Sequence, residues 1–363
     1  MKKLQGLFGL VIALLLTGCA TDKVQEPILP VQQEAKKVIL YASRSEPVVE
    51  FVAEKFRKAY PDYELEVHWV GGGDALDELT QDKKNVQGDI WWGANQAELQ
   101  GAVREGLLRP IPEDIQALVP DIYQERKGRW MADSLFPTVF VTHKETLAEK
   151  IPRKWEFLVH RDYENQFYFL VPEQDLTFPL WLGAIMYRKG YFQEEDGLQW
   201  LRKLDANTAQ YVDTTSDLMR KILEEPGRIT WMSLPEALKM REYEKLPIQI
   251  RAPLDSQPVE ISGVGLLEGA PHPRGGELFL RFLYSDPMQA ELMKKFYQVS
   301  ARQVIPESLR PAWYAEWTIR PMDLDWEWTA GNERKNLVLW EERVRGQGYW
   351  PKPKVVVVPT SSK

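Results

Sequence analysis

Ser43, Arg44 and Ser45 stand together just before an amphipathic stretch, offering two hydroxyls and a forked cation where a helix is expected to start. Helix starts expose unpaired N–H groups and a partial positive charge, so this cluster has the chemistry to hold an anionic group. Ser43-x-x-Glu46 equally fits a capping box, which needs no ligand. Gly72, Gly73 and Asp74 form a second turn of this kind, and Thr214, Thr215 and Ser216 bring neutral donors to a third. Asp175, close to Thr177, and Glu260 are available to an amine, although a carboxylate before a helix is also an ordinary cap. Trp91, Trp92 and Trp231 end short apolar runs, where they could wall a cleft or fill a core. Trp91 and Trp92 are adjacent on an expected strand and point to opposite faces, so at most one of them meets a ligand.

Catalysis would ask for more than this. The sequence has no G-x-S-x-G, no G-x-x-x-x-G-K-[ST] and no H-E-x-x-H. Cys19 is the single cysteine, and His68, His143, His160 and His272 are scattered without metal-ligand spacing. Carboxylate pairs are plentiful among 53 acidic residues and so discriminate nothing. The expectation is a protein that is not an enzyme, with no cofactor and no metal.

The elements that must position these residues read as a repeated strand–helix alternation. Val38–Tyr41 is a buried-strand run, and Val48, Val49, Val52, Phe56, Ala59 and Tyr60 mark one face of a helix stopped by Pro61. Residues 63–70 alternate as a second strand, and Gly88–Gly93 reads as a third. Such a βαβαβα order builds an open parallel sheet, whose ligands bind at the carboxyl ends of strands. Phe167–Met240 repeats the scheme: strands at 167–171, 209–212 and 229–232, and the turn Ser233-Leu234-Pro235 entering a helix. Ile248–Ile250 and Ile261–Leu267 read as strands and Gly276–Tyr284 as a helix. The remainder to Arg345 reads as helical, with its tryptophans as packing anchors.

At 363 residues the chain exceeds one ordinary core, and 44% hydrophobic with 27% charged residues suits a water-soluble body of two domains. Its start differs: Lys2-Lys3, the apolar Leu7–Leu16 and then Leu16-Thr17-Gly18-Cys19 form an export signal too short to span a membrane comfortably. This end resembles the bacterial lipoprotein box, which implies cleavage before Cys19 and a lipid on its sulfur. Loss of residues 1–18, with two lysines and no acids, takes the net charge from −7 to −9, which argues against nucleic acid as a partner. Residues 19–37 read as a polar tether.

The order of segments resembles the bacterial extracellular solute-binding proteins of ABC importers, in the branch of ferric-ion, polyamine, thiamine and phosphonate or sugar-phosphate binders. Tyr41–Glu46, Gly88–Gly93 and Gly263–Pro273 leading into Phe279–Leu283 carry the likeness, which runs from Val38 to Arg345. The resemblance implies a two-lobed α/β periplasmic-binding (Venus flytrap) fold joined by two crossing strands, near Thr138–Val141 and Ile248–Arg251. Lobe 1 would hold residues 38–137 and 252–345, lobe 2 residues 138–251, and 346–363 would form a tail. It implies a monomer lipid-anchored in the cell envelope, partnered with a permease and an ATPase, with these turns lining the cleft. Ferric members bind iron through adjacent tyrosines in the second lobe; here Trp231, Met232 and Ser233 occupy that region, so chelation does not carry over. The expected ligand is a small organic anion or zwitterion such as a phosphonate or phosphate ester. The alternatives are a cationic solute, polyamine or thiamine, and an envelope lipoprotein that reuses the fold without transport.

Overall fold

The computed structural model describes residues 36–71, 75–175 and 177–348. In the first part of the chain, β1 (Lys37–Ala42), α1 (Glu46–Ala59), β2 (Glu64–Trp69), α2 (Ala75–Gln81), β3 (Ile90–Ala94) and α3 (Gln96–Glu105) follow in turn. β1 pairs in parallel with both β2 and β3. A strand flanked on both edges and covered on both faces needs an unbroken apolar run, which explains Val38, Leu40, Tyr41 and Ala42, all buried. On α1, Val48, Val49, Val52, Ala53 and Phe56 turn inward, and Phe56 packs 5.3 Å from Phe279. Its truncation to alanine would cost about 3–5 kcal/mol.

β4 (Leu108–Arg109) and α4 (Glu113–Gln116) lead to β5 (Met131–His143), the longest strand. β6 (Phe167–Leu170), α5 (Phe178–Gly190), α6 (Glu194–Asn207), β7 (Thr208–Val212), α7 (Thr215–Glu224), β8 (Ile229–Ser233), α8 (Leu234–Leu238) and β9 (Ile248–Arg251) make the second α/β unit. The chain returns through β10 (Val259–Leu267), α9 (Pro273–Leu283), α10 (Asp286–Phe296), β11 (Val299–Ser300) and α11 (Trp326–Arg343). One curled sheet runs β2-β1-β3-β10-β5-β8-β6-β7, with β4 on β10 and both β9 and β11 on β5.

β5 serves both halves. Up to Pro137 it pairs with β10, and from Thr138 onward with β8, so the strand changes partner between these two residues. Pro137 sits at the handover between partners, where a missing N–H is least costly. The second crossing is the non-strand segment 252–258, rather than Ile248–Arg251, which already pairs with β5 inside the second half. Gln257 ties the two crossings together. Its side-chain amide donates to the Thr138 carbonyl (3.3 Å) and accepts from Arg320 N–H (3.2 Å).

The stretch between α10 and α11 is not continuous helix, as the sequence reading had it, but irregular chain with short helical turns. Pro306, Pro311 and Pro321 explain this, each removing a donor and excluding helical backbone before it. α11 itself packs against α3 in one half and α5 in the other. Trp326 donates to the Ile122 carbonyl (3.1 Å), while Trp340 is buried against Phe178 and Tyr211.

Candidate functional site

Strand register locates the site. Ala94, at the carboxyl end of β3, lies beside Gly263 of β10, and Ser233, at the carboxyl end of β8, lies beside Thr138 of β5. Because β10 begins opposite Pro137, the carboxyl ends of both sheet halves point toward the crossing. The turns after β3 and β8 therefore face the crossing, on the side where α/β folds place ligands. A hollow of about 400 Å³ lined by Thr146, Gln166, Gly227 and Arg228 sits at the opposite, amino end of β6 and β8.

In the first half, Ser43 and Arg44 follow β1. Ser43 N–H donates to the Trp92 carbonyl (2.9 Å) and its hydroxyl accepts from the Trp91 indole (2.8 Å). Gly93 is left-handed (φ 107°), and a Cβ there would lie 2.5 Å from the Arg44 backbone nitrogen, so only glycine fits. Ser45 is the exposed N-cap of α1 and makes no side-chain capping bond, so the capping box suggested by Ser43 and Glu46 does not form. The expectation that Arg44 waits for an anion needs correcting. Its Nη1 lies 3.2 and 3.1 Å from the two Asp133 carboxylate oxygens and 2.6 Å from Ser134 Oγ, and Nη2 donates to Gln298 (2.8 Å). With side chains 9% and 0% exposed, the pair is an internal ion pair that spends the cation's charge.

Trp91 and Trp92 are corrected likewise: both are fully buried, because this half of the sheet is packed on both faces. Trp92 lies 5.5 Å under the Arg44 guanidinium and 6.2 Å from Phe279. Trp231, on β8, is stacked between Phe169 (3.8 Å) and Trp181 (4.4 Å) as core rather than as an open wall. Thr214 caps α7 by accepting from Asp217 N–H (3.1 Å) and donating to its carboxylate (2.9 Å); Thr215 and Ser216 occupy the first turn that follows. Gly72, Gly73, Asp74 and Cys19 lie outside the described residues.

The carboxyls are the groups left with capacity. Asp175 accepts from Thr177 N–H (2.9 Å) and hydroxyl (2.7 Å), and the Trp231 indole N–H lies beside it without completing a hydrogen bond. Burial raises the Asp175 carboxyl above the usual range, with Thr177 opposing. Glu236, which sequence reasoning missed, follows β8 in α8 and is pushed up to about 7 by burial and by the Asp175 charge. The spacing Ser233-x-x-Glu236 hinted at it only as a cap; Ser233 does accept from Glu236 N–H (3.4 Å).

A second group surrounds Glu260, near the start of β10. Gln96 Nε2 donates to its carboxylate (3.3 Å). Burial, opposed by Gln96 and reinforced by Glu333 of α11 and Glu98 of α3, pushes Glu260 up to about 8. Glu98 accepts from Asn95 N–H (2.9 Å) while Asn95 accepts from Glu98 N–H (3.0 Å), so the start of α3 is capped by its own residues. Among the described residues no group of three His, Cys, Asp or Glu side chains could hold a metal ion.

Comparison with known proteins now adds the family. The family model described as bacterial extracellular solute-binding protein matches residues 38–298. The chain belongs to this family. A Sinorhizobium fredii relative, provisionally named an ABC-transporter periplasmic-binding protein, is 25% identical over 71% of this chain and 72% of its own. A Salmonella typhimurium protein provisionally named for 2-aminoethylphosphonate binding is 22% identical over 66% of this chain and 69% of its own. The solved Bordetella ferric binding protein superposes with a TM-score of 0.72 at 19% identity, covering 84% of this chain and 98% of that one, which establishes the two-lobed fold. Each of these relatives is named for binding, and the Sinorhizobium protein for service to an ABC transporter. No helix among the described residues is long and apolar enough to cross a membrane.

Proposed function

We propose that this chain, as the solute-binding member of an ABC importer, captures a small zwitterion between its lobes and delivers it to a permease and ATPase. The observation that carries this reading is the pair Asp175 and Glu236, both raised by burial, with the charge of Asp175 raising Glu236 further. Two carboxyls that repel one another favour a protonated amine, which relieves the repulsion. Across the crossing, the Ser43 hydroxyl and the exposed Ser45 at the start of α1 offer O–H donors to the anionic end. An aminophosphonate has both ends, and a relative named for one supports the choice. A purely cationic solute is the second reading, favoured because Asp133 already neutralises Arg44.

The lipid on Cys19, tethering the protein as a monomer to the envelope, is part of the proposal and keeps it near its permease. Mass spectrometry of the solute that co-purifies, with a thermal-shift panel of aminophosphonates, phosphate esters, polyamines and thiamine, tests it. A ligand at a hundred times its Kd adds about 2.7 kcal/mol. Stabilisation by polyamines or thiamine alone would select the second reading, and no response to any small solute would reject capture altogether.

A further inference from the structure

We propose that Arg241 and Glu316 form a clasp between the two halves of the protein, carried on the same stretch of helix as Glu236, so that solute held at Glu236 and contact between the halves favour one another. The link to solute rests on the carboxyl site proposed above; the clasp itself rests on contacts that need no ligand. α8, which holds Glu236, runs without a break into a π-helical turn, Lys239–Tyr243. Glu244 N–H donates to the Lys239 carbonyl (3.1 Å), the wide i to i+5 bond of such a turn. Turns of this kind are rare inside helices and concentrate at functional sites. Here the turn delivers Arg241 to the other half. Its Nε donates to Glu242 beside it (2.6 Å), while Nη2 donates to Glu316 (2.8 Å), 75 residues further along.

Glu316 ends the short helical turn Ala312–Glu316, which is built into the first half. Trp313 of that turn packs 6.3 Å from Tyr297 at the end of α10, and Gln303 N–H, on the chain leading there, donates to the Leu118 carbonyl (2.9 Å). The Arg241 guanidinium also lies 5.9 Å over the Trp317 ring. Tyr297 makes a second approach to the π-helical turn. It stands in left-handed backbone (φ 55°), which a bulky residue adopts only under constraint, and burial, then the charges of Glu242 and Tyr243, raise its hydroxyl. The Arg241 and Glu316 side chains are 24% and 51% exposed, so water shares the pair and its strength is modest. That suits a clasp that must release. An ion pair between parts that can separate exists only in the arrangement that joins them. A solute favouring that arrangement strengthens the pair, and by reciprocity the pair raises affinity for the solute.

Pulsed electron-paramagnetic distance measurements test the clasp with no solute present. Spin labels go on cysteines replacing the exposed Lys58 of α1 and Lys203 of α6, in Cys19→Ser protein. The parent should give one narrow distance, and Arg241→Gln and Glu316→Gln should each add a second, longer one. The double variant should add no more than either, because both substitutions remove the same pair. Salt at about 0.5 M should move the parent in the same direction and leave the variants where they are. Urea midpoints confirm that each variant is folded. In calorimetry with putrescine and ethanolamine phosphate, each variant should bind about threefold more weakly than the parent. Distances shared by parent and variants, or effects that add in the double variant, would overturn the clasp while solute capture stands. If the distances respond but neither solute binds, the clasp holds and its link to an amine at Glu236 is refuted.

Discussion

Glu236→Gln should make the protein progressively more stable than wild type as pH rises from 5 to 8.5. The Glu236 carboxyl goes from an ordinary 4.5 to about 7 in the folded protein, chiefly through burial and then through the charge of Asp175, with Lys239 opposing. A raised carboxyl means that the folded state binds more protons than the unfolded chain between those two values. Its contribution to stability is therefore fully present below about pH 4.5 and is lost as pH climbs through about 7. At about 1.4 kcal/mol per pH unit, the displacement corresponds to about 3 kcal/mol, reduced to about 2 for a side chain that is only partly buried. Glutamine keeps the shape of the protonated acid and cannot ionise, so the variant escapes the loss. Urea unfolding of both proteins at half-unit steps from pH 5 to 8.5 measures it, since raised carboxyls away from Glu236 cancel in the difference and the response of Asp175 belongs to the effect. Stability profiles that stay parallel within about 0.5 kcal/mol would refute the raised Glu236 carboxyl.

Asp133→Ala should cost about 3–5 kcal/mol in chemical unfolding, because it strands the Arg44 guanidinium in a buried site with only Ser134 and Gln298 for company. Gly93→Ala should lower the melting temperature by several degrees, since it forces a side chain into left-handed backbone and against Arg44; an unchanged melting curve would contradict that contact. Asp175→Asn should weaken binding of an amine-bearing solute by about tenfold in calorimetry, the loss of one charge-assisted contact, while leaving amine-free solutes unaffected.

The alternation of strand and helix could be read from the chain because it is local. Val38–Tyr41 and Ile229–Met232 are apolar runs whose length already decides strand, and the capping residues after them announce helices. The place of Pro137 was not legible, because its effect depends on which strand lies alongside it. The same residue that would break an ordinary ladder is tolerated where β5 exchanges β10 for β8. The stretch between α10 and α11 misled in the opposite way, since its tryptophans advertise a core but its prolines deny it a helix. The core was still supplied: Trp313 is buried within irregular chain.

The site was less legible than the fold, for a reason that Arg44 makes plain. Its type and its place at a helix start are what an anion site requires, and both were visible. Its role turned on Asp133 and Gln298, 89 and 254 residues further along, which only the folded register brings within 3.1 and 2.8 Å. Charge in a cleft is a property of pairs, and sequence displays single residues. By the same logic Gln96 and Glu236 went unnoticed, one an amide near a cap and the other apparently a cap itself. They matter because β10 brings Glu260 to the first and the end of β6 brings Asp175 to the second. The proposed recognition shifts accordingly, from a free arginine toward the raised carboxyls of Asp175 and Glu236.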